Sequence, residues 1–231
     1  MIGALKWIGI VMVVLFLPWG NAQAMVSVSP VIVEAVGVAE GQTFEVLCQN
    51  WGDQPIEMQL SLALFDQSET GGVVFLEDPE AVHRASGFLT LHTDALFLDP
   101  NGEDVVRVEL TDNGFDNLYA VLFVKPRQVG VQTRFAVLFL LSTSVNKLAN
   151  MTVSSWVQQE DALTLTVENH GLRHGLWEGE VHLYDASDQV GEKRQITSGV
   201  VLAGRSRGVQ VPLPSWVRRV EVFSDLSGQQ R

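Results

Sequence analysis

The chain is poor in cysteine, and this limits how its fold can be stabilised. Cys48 is the only cysteine among 231 residues, so no disulfide can form within the chain. Cys48 alternates with Val46 and Phe44 in a strand-like stretch, which predicts a buried thiol that packs as a small hydrophobic side chain. The protein therefore folds without a covalent cross-link.

Basic residues are also scarce. Lys and Arg number 15 against 27 Asp and Glu, and no basic residue lies between Lys6 and Arg84. Without the N-terminal segment that contains Lys6, the formal charge is 14 − 27 = −13. Binding to a nucleic-acid backbone needs clustered Lys and Arg. The composition therefore argues against nucleic acid as a partner.

After its first 24 residues, the chain has no apolar run of transmembrane length and no zinc-protease motif. Residues 135–141 form an apolar stretch, but it is too short to span a bilayer. No H-E-x-x-H zinc motif occurs. His170 and His174 flank turn glycines, and His182 alternates with apolar neighbours, which predicts surface histidines and no metal site. We therefore predict a protein that is not an enzyme and has no catalytic residue, metal or cofactor.

The one long apolar run lies at the N terminus. Residues 7–17 follow Lys6, and Pro18 and the tripeptide Ala22-Gln23-Ala24 come after them. This is the pattern of a secretory signal peptide with an A-x-A cleavage site. An uncleaved anchor is the alternative, but the run is shorter than the about 20 residues that span a bilayer. We predict a signal peptide over residues 1–24 and export to the periplasm, the extracellular space or the cell envelope.

Two stretches repeat each other. Residues 44–66 match residues 163–185 at a fixed offset of 119 positions, given by 169 − 50 and 185 − 66, and the match pairs Asn50 with Asn169. The offset preserves which side chains share a face, so both copies are expected to bury equivalent residues. The offset is also about the length of one small β-domain. The sequence therefore predicts two related β-domains in tandem.

Short alternating segments separated by turn residues fill both halves of the mature chain. Pro30 interrupts the first of these segments, which indicates an edge strand or a strand that changes sheet. Residues 99–102, Asp-Pro-Asn-Gly, form a strong turn signal. Residues 66–87 are polar and weakly periodic, so we expect an irregular connection there, and no segment after the signal has helical periodicity. The prediction is an all-β chain of two immunoglobulin-like β-sandwiches, over residues 25–144 and 145–231.

This layout resembles the PapD-like periplasmic chaperones of pilus and fimbria assembly. The similarity lies in residues 89–110, an apolar run with a turn and a strand, in residues 117–124, and in residues 129–135, Val-Gly-Val-Gln-Thr-Arg-Phe. In that family, the last of these segments is a donor strand that completes an unfinished pilus subunit. The resemblance implies a chaperone that binds such a subunit, with an assembly platform as a possible second partner.

The donor-strand comparison names candidate partner-binding residues. Val129, Val131, Phe135 and Val137 share one face and are the candidate apolar side chains for a subunit's groove. The alternative for these residues is the core of the protein's own sheet, because every half-buried strand alternates. The family also anchors the subunit's terminal carboxylate with two cations, one on the first strand and one near the end of the donor strand. This chain has no first-strand cation.

At the second of these cation positions the chain has Ala136, and Arg134 on the same face is the candidate replacement.

Two functions remain open from the sequence. One is an exported chaperone that binds a pilus-type subunit by strand addition. The other is a secreted structural or adhesion module that caps no subunit. They differ at residues 129–137: a chaperone leaves this edge free for pairing, whereas a structural module shields it.

Overall fold

The computed structural model describes residues 26–127 and 133–224. The predicted signal peptide and the candidates Val129 and Val131 lie outside these ranges. No helix within them is long and apolar enough to cross a membrane. The described elements are the following: β1 (Val26–Ser29), β2 (Ile32–Val36), β3 (Thr43–Asn50), β4 (Ile56–Gln67), β5 (Val73–Leu76), α1 (Pro79–Phe88), β6 (Leu89–Leu91), β7 (Ala95–Leu98), β8 (Glu103–Leu110), β9 (Asn117–Pro126), β10 (Phe135–Ser142), β11 (Met151–Gln158), β12 (Ala162–Asn169), β13 (Gly175–Tyr184), β14 (Val190–Val201), β15 (Ser206–Pro212) and β16 (Arg219–Ser224).

The first half of the chain forms a sandwich of two sheets. One sheet has the order β1-β3-β8-β6, and the other has the order β2-β10-β9-β4-β5, with β7 also paired to β4. Apolar side chains from both sheets fill the space between them, and Val46, Met58, Leu122 and Phe139 are completely buried there. The chain changes from the first sheet to the second between β1 and β2, at Pro30.

The second half forms a smaller sandwich on the same plan. Its sheets have the orders β11-β12-β15 and β14-β13-β16, and Leu163, Leu165, Val181 and Leu183 lie fully buried between them. The all-β, two-sandwich fold predicted from the sequence is confirmed.

The repeat is visible in how the two sandwiches use one buried asparagine. Asn50 ends β3 and Asn169 ends β12, and each of these strands lies between two neighbours in its sheet. Each side chain accepts a hydrogen bond from the N–H two residues on, at 2.9 Å, and donates to the C=O four residues on, at 2.8 Å. Buried amides need such partners. The shared bonding explains why the repeat preserves Asn at this position.

Burial also follows the predicted parity. Val46 and Cys48 are fully buried in β3, as Leu165 and Val167 are in β12. Burial, with the nearby Asp104 carboxylate adding to it, raises the pKa of the Cys48 thiol to about 11. The prediction that Cys48 packs in the core as a small hydrophobic side chain is confirmed.

Residues 66–87 differ from the prediction of an irregular connection without a helix. They contain the strand β5 and most of the helix α1. The Asp78 side chain accepts a hydrogen bond from the Ala81 N–H at 3.0 Å, and Pro79 occupies the first turn, so the helix has a standard start. The helix buries only Ala81 and Ala85. Because two small alanines give only a weak apolar periodicity, the sequence pattern does not predict this helix. Its only sequence signal is the N-terminal cap, Asp78 followed by Pro79.

Two further segments differ from the sequence interpretation. The apolar run before the Asp-Pro-Asn-Gly turn does not form a single strand, because its residues 88–98 end α1 and then divide into β6 and β7, which belong to different sheets. β11 was not predicted, because a register shift between Val153 and Ser155 breaks its alternation.

Candidate functional site

The first half of β10 has a free edge. β10 pairs with β9 along its whole length, from Phe135 opposite Val124 to Ser142 opposite Asn117. On its other side the parallel strand β2 begins only at Leu138, opposite Ile32. The preceding strand β1 pairs with β3 in the other sheet instead. Within the described residues, no strand covers the outer side of residues 135–137.

The backbone at this edge offers hydrogen-bonding groups. The Leu138 N–H donates to the Val31 C=O at 2.9 Å, so the polar backbone groups of Leu138 point toward the β2 side. Successive residues of a strand point to alternate sides, so the N–H and C=O of Ala136 point the same way. At Ala136 these groups face the side on which no strand is described.

The candidate partner-binding residues have different surroundings. Val137 is fully buried, and Phe135 is partly buried and packs against the same core cluster. Both side chains therefore lie in the core of the protein's own sandwich, which is the alternative that the sequence left open for them. Val129 and Val131 are outside the described residues, so their role stays a prediction.

Arg134 lies on the opposite face and already holds a carboxylate. Its guanidinium donates two hydrogen bonds to Glu77, at 2.6 and 2.8 Å, and lies 4.1 Å from the centre of the Phe123 ring and 5.4 Å from that of Phe75. These bonds hold the pKa of the Glu77 carboxyl below its usual value. Arg134 thus joins the start of β10 to the end of β5, and an incoming carboxylate would have to displace Glu77.

The outer face of the six-stranded sheet carries a second apolar cluster. Ala63, Phe65, Val121 and Leu140 are buried there together with Leu202 from the second sandwich. The sequence interpretation missed this contact between the domains. Its signal is the continuous apolar run in both β9 and β10, which is typical of strands covered on both faces.

Polar contacts at the rim of this cluster join the two sandwiches. Arg205 donates two hydrogen bonds to Asp66, at 2.7 and 2.6 Å, and holds the pKa of that carboxyl below its usual value. The Gln67 amide donates to the Val200 C=O at 2.8 Å and accepts from the Leu202 N–H at 3.1 Å. A cleft of about 280 Å³ opens beside these contacts, lined by residues of both sandwiches.

His174 is a buried member of the domain contact, so the expectation of a surface histidine is wrong for this residue. Its Nε2 lies 3.0 Å from the Glu34 carboxylate, and its ring meets the edge of Tyr119 with the ring centres 5.9 Å apart. Burial lowers the pKa of His174, although Glu34 acts in the opposite direction. Burial thus disfavours the charged form of the side chain, which packs as part of the interface.

One string in the chain matches the G-x-S-x-G pattern of hydrolase nucleophiles. It is Gly204-Arg205-Ser206-Arg207-Gly208, at the start of β15. The hydrolase motif requires a turn between a strand and a helix. Ser206 instead begins an antiparallel strand paired with β12. The match has no catalytic geometry.

Solved structures with a similar fold include chaperones, among them a chaperone of class 5 fimbriae. CfaA, a class 5 fimbriae chaperone, matches with a TM-score of 0.55 and 10% identity, over 89% of this chain and 94% of that chain. The CupB2 chaperone of Pseudomonas aeruginosa matches with a TM-score of 0.50 and 12% identity, over 86% of this chain and 100% of that chain. A chain of the CsuC-CsuE chaperone-tip adhesion subunit pre-assembly complex of Acinetobacter baumannii matches with a TM-score of 0.50 and 13% identity, over 81% of this chain and 91% of that chain.

No family model and no curated protein matches the sequence. At these identities the shared property is the fold, which is the two-domain fold of fimbrial chaperones. The fold implied by the resemblance of the sequence to the PapD-like chaperones is therefore confirmed.

Proposed function

We propose that this protein is an exported chaperone that binds an extracytoplasmic subunit of a pilus-like appendage by strand addition at the free edge of β10. The observation that carries the proposal is the absence, in the described residues, of any strand beside residues 135–137. Edge strands of this kind are usually shielded, because they present unpaired N–H and C=O groups to other chains. An open edge beside the segment that resembles a donor strand favours the chaperone over a structural module.

The residues around the edge suit an extended apolar segment. Strand addition gains affinity from main-chain hydrogen bonds and specificity from alternate side chains. The Ala136 N–H and C=O supply the first of these. On the outer face the incoming segment would meet the partly exposed Leu138 and the half-exposed Ile32, opposite it in β2. Val129 and Val131 precede this edge in the sequence, and in this proposal they supply apolar side chains for the subunit.

The fold comparisons support this proposal, since one of the similar structures is described as a complex of a chaperone with a tip adhesion subunit. The signal peptide predicted over residues 1–24 supports export, and the periplasm is the compartment that this function implies. A pilus assembly platform remains the proposed second partner.

The test is co-expression with an extracytoplasmic pilus-type subunit from the same genome, followed by purification of the complex. Ala136→Pro removes the N–H that points to the free edge and spares the bonds to β9, so the variant should fold and lose the complex. Ala136→Ser, which keeps the N–H, is the matched control and should bind. Val131→Glu should also abolish the complex, because it places a charge in the subunit's groove.

Folding of each variant is checked by circular dichroism and thermal unfolding. Normal complex formation by folded Ala136→Pro and Val131→Glu proteins would contradict strand addition at this edge.

A further inference from the structure

The six-stranded sheet has a second open edge, at β5. This strand pairs with β4 on one side, and no strand lies on its other side in the described part of the chain. Its four residues, Val-Val-Phe-Leu, include no charge, no proline and no bulge. Val73 and Val74 are 45% and 42% exposed. The strand therefore presents an apolar, unprotected edge to solvent.

Three edge strands of the second sandwich carry features that discourage pairing. β11 contains the register shift between Val153 and Ser155, β14 carries Lys193 and Arg194, and β16 begins with Arg219. Bulges and charges are the usual means by which natural proteins protect sheet edges. β5 lacks them, which marks its edge as a candidate for pairing.

The backbone direction at this edge follows from the turn that precedes β5. The Ser68 N–H donates to the Gly72 C=O at 2.8 Å, so the polar backbone groups of Gly72 point toward β4. By alternation, those of Val74 also point toward β4, whereas those of Val73 and Phe75 point outward. An added strand would therefore form hydrogen bonds with Val73 and Phe75.

We propose that β5 pairs with β5 of a second copy of this chain, antiparallel, with the two-fold axis at Val74. In this register Val73 of each copy hydrogen-bonds with Phe75 of the other, and the two Val74 residues lie directly opposite each other as a pair without hydrogen bonds. A parallel arrangement would place Glu77 against Glu77. The antiparallel arrangement separates these charges.

The flanking charges favour a second copy as the occupant. The register places Glu77 of one copy opposite Gly71 of the other. The Arg207 side chain packs directly against Gly71, where the absence of a Cβ makes room for it. Arg207 donates to the Val200 C=O at 3.3 Å and forms no salt bridge within the described residues. Arg134 holds Glu77 within its own chain. Each end of the paired strands therefore brings this ion pair toward Arg207 of the other copy, and the Glu77 carboxylate can accept hydrogen bonds from both arginines.

A cross-linking experiment on the mature chain tests this register. Residues directly opposite in a pair without hydrogen bonds have Cα atoms about 4.5 Å apart, within the about 4.4–6.8 Å that a disulfide needs. Val74→Cys should therefore give a covalent dimer under mild oxidation on a non-reducing gel. Val73→Cys is the matched control, because Val73 and Val74 are about equally exposed. In the proposed register the two Val73 Cα atoms would lie roughly 8 Å apart, since they are offset by two residues of about 3.3 Å each along the strands and by the distance between the strands. This is too far for a disulfide.

The background is low, because Cys48 is buried and its thiol is unreactive. We expect at least tenfold more dimer from Val74→Cys than from Val73→Cys. Equal yields, or no dimer from either variant, would overturn the proposal.

Sedimentation provides a second measurement without new cysteines. A four-residue strand buries little area, so the dimer should be weak and appear as the protein concentration rises. Val74→Lys places two like charges opposite each other and should raise the dimer dissociation constant at least tenfold. The same change on another edge, Val157→Lys in β11, should leave it unchanged. A wild-type chain that stays monomeric up to several hundred micromolar, or equal effects of both lysines, would refute self-pairing.

This proposal is separate from the chaperone function. Ala136→Pro alters the opposite edge of the sheet and should leave the Val74→Cys cross-link intact. Loss of subunit binding and loss of the dimer are therefore distinguishable.

Discussion

Replacing either asparagine of the repeat tests the claim that one amide organises each sandwich. We expect Asn50→Ala to lower the free energy of unfolding by about 4–6 kcal/mol. The amide of Asn50 makes three hydrogen bonds of 2.8–3.0 Å, each with a net value of about 1 kcal/mol, and the buried groups left behind cost about 1–3 kcal/mol more. The loss is a large part of the stability of a typical domain, about 5–15 kcal/mol.

Asn169→Ala should have the same effect on the second sandwich, because Asn169 makes the corresponding bonds and also accepts from the Asn150 N–H at 3.2 Å. Urea unfolding followed by circular dichroism and tryptophan fluorescence measures both changes. Asn113→Ala, at an exposed loop position, is the control and should alter stability by less than about 0.5 kcal/mol. A loss below about 1 kcal/mol for Asn50→Ala would refute the reasoning, since the amide would then be replaceable by water.

Two further predictions concern pH and the subunit's terminus. The pKa of His174 is lower in the fold than in the unfolded chain, so its contribution to stability is complete above its ordinary pKa of about 6.5 and is lost as the pH falls below that value. His174→Gln should therefore flatten the fall in the urea midpoint between pH 7 and pH 5, and an unchanged slope would contradict the burial argument. Glu77 already accepts the hydrogen bonds of the Arg134 guanidinium, and neither β2 nor β10 contains Lys or Arg, so no free cation on these strands can bind a carboxylate. We therefore test a peptide with the C-terminal sequence of the co-purified subunit, made once with a free carboxylate and once with an amide. The two forms should bind with dissociation constants within about threefold of each other, measured by fluorescence anisotropy. Glu77→Gln should create a preference for the acid, and a tenfold preference in the wild-type chain would show that another cation anchors the carboxylate.

The sequence predicted the fold well where parity and turn chemistry were unambiguous. The repeat placed Cys48 in the core and paired Asn50 with Asn169. The structure explains the second match, because each Asn side chain hydrogen-bonds to the backbone of the turn that follows it, and the same bonds require the same residue in both copies. It predicted less where packing is weak or irregular. The helix α1 buries only two alanines, and β11 has a bulge, so neither leaves a clear period.

The candidate site was the least predictable part, because alternation assigns side chains to faces but cannot say what covers an edge. Phe135 and Val137 alternate as a donor strand would, and the same alternation fits the core in which they lie. The edge is open before Leu138 because β2 begins to pair with β10 only at that residue. The position at which this pairing begins depends on how sharply the chain turns after β1 as it crosses to the other sheet. The pairing itself joins β2 and β10, which are far apart in the sequence. The open stretch before Leu138 is therefore a result of tertiary structure, and the sequence indicates it only through Pro30, the residue at which the first strand leaves its sheet.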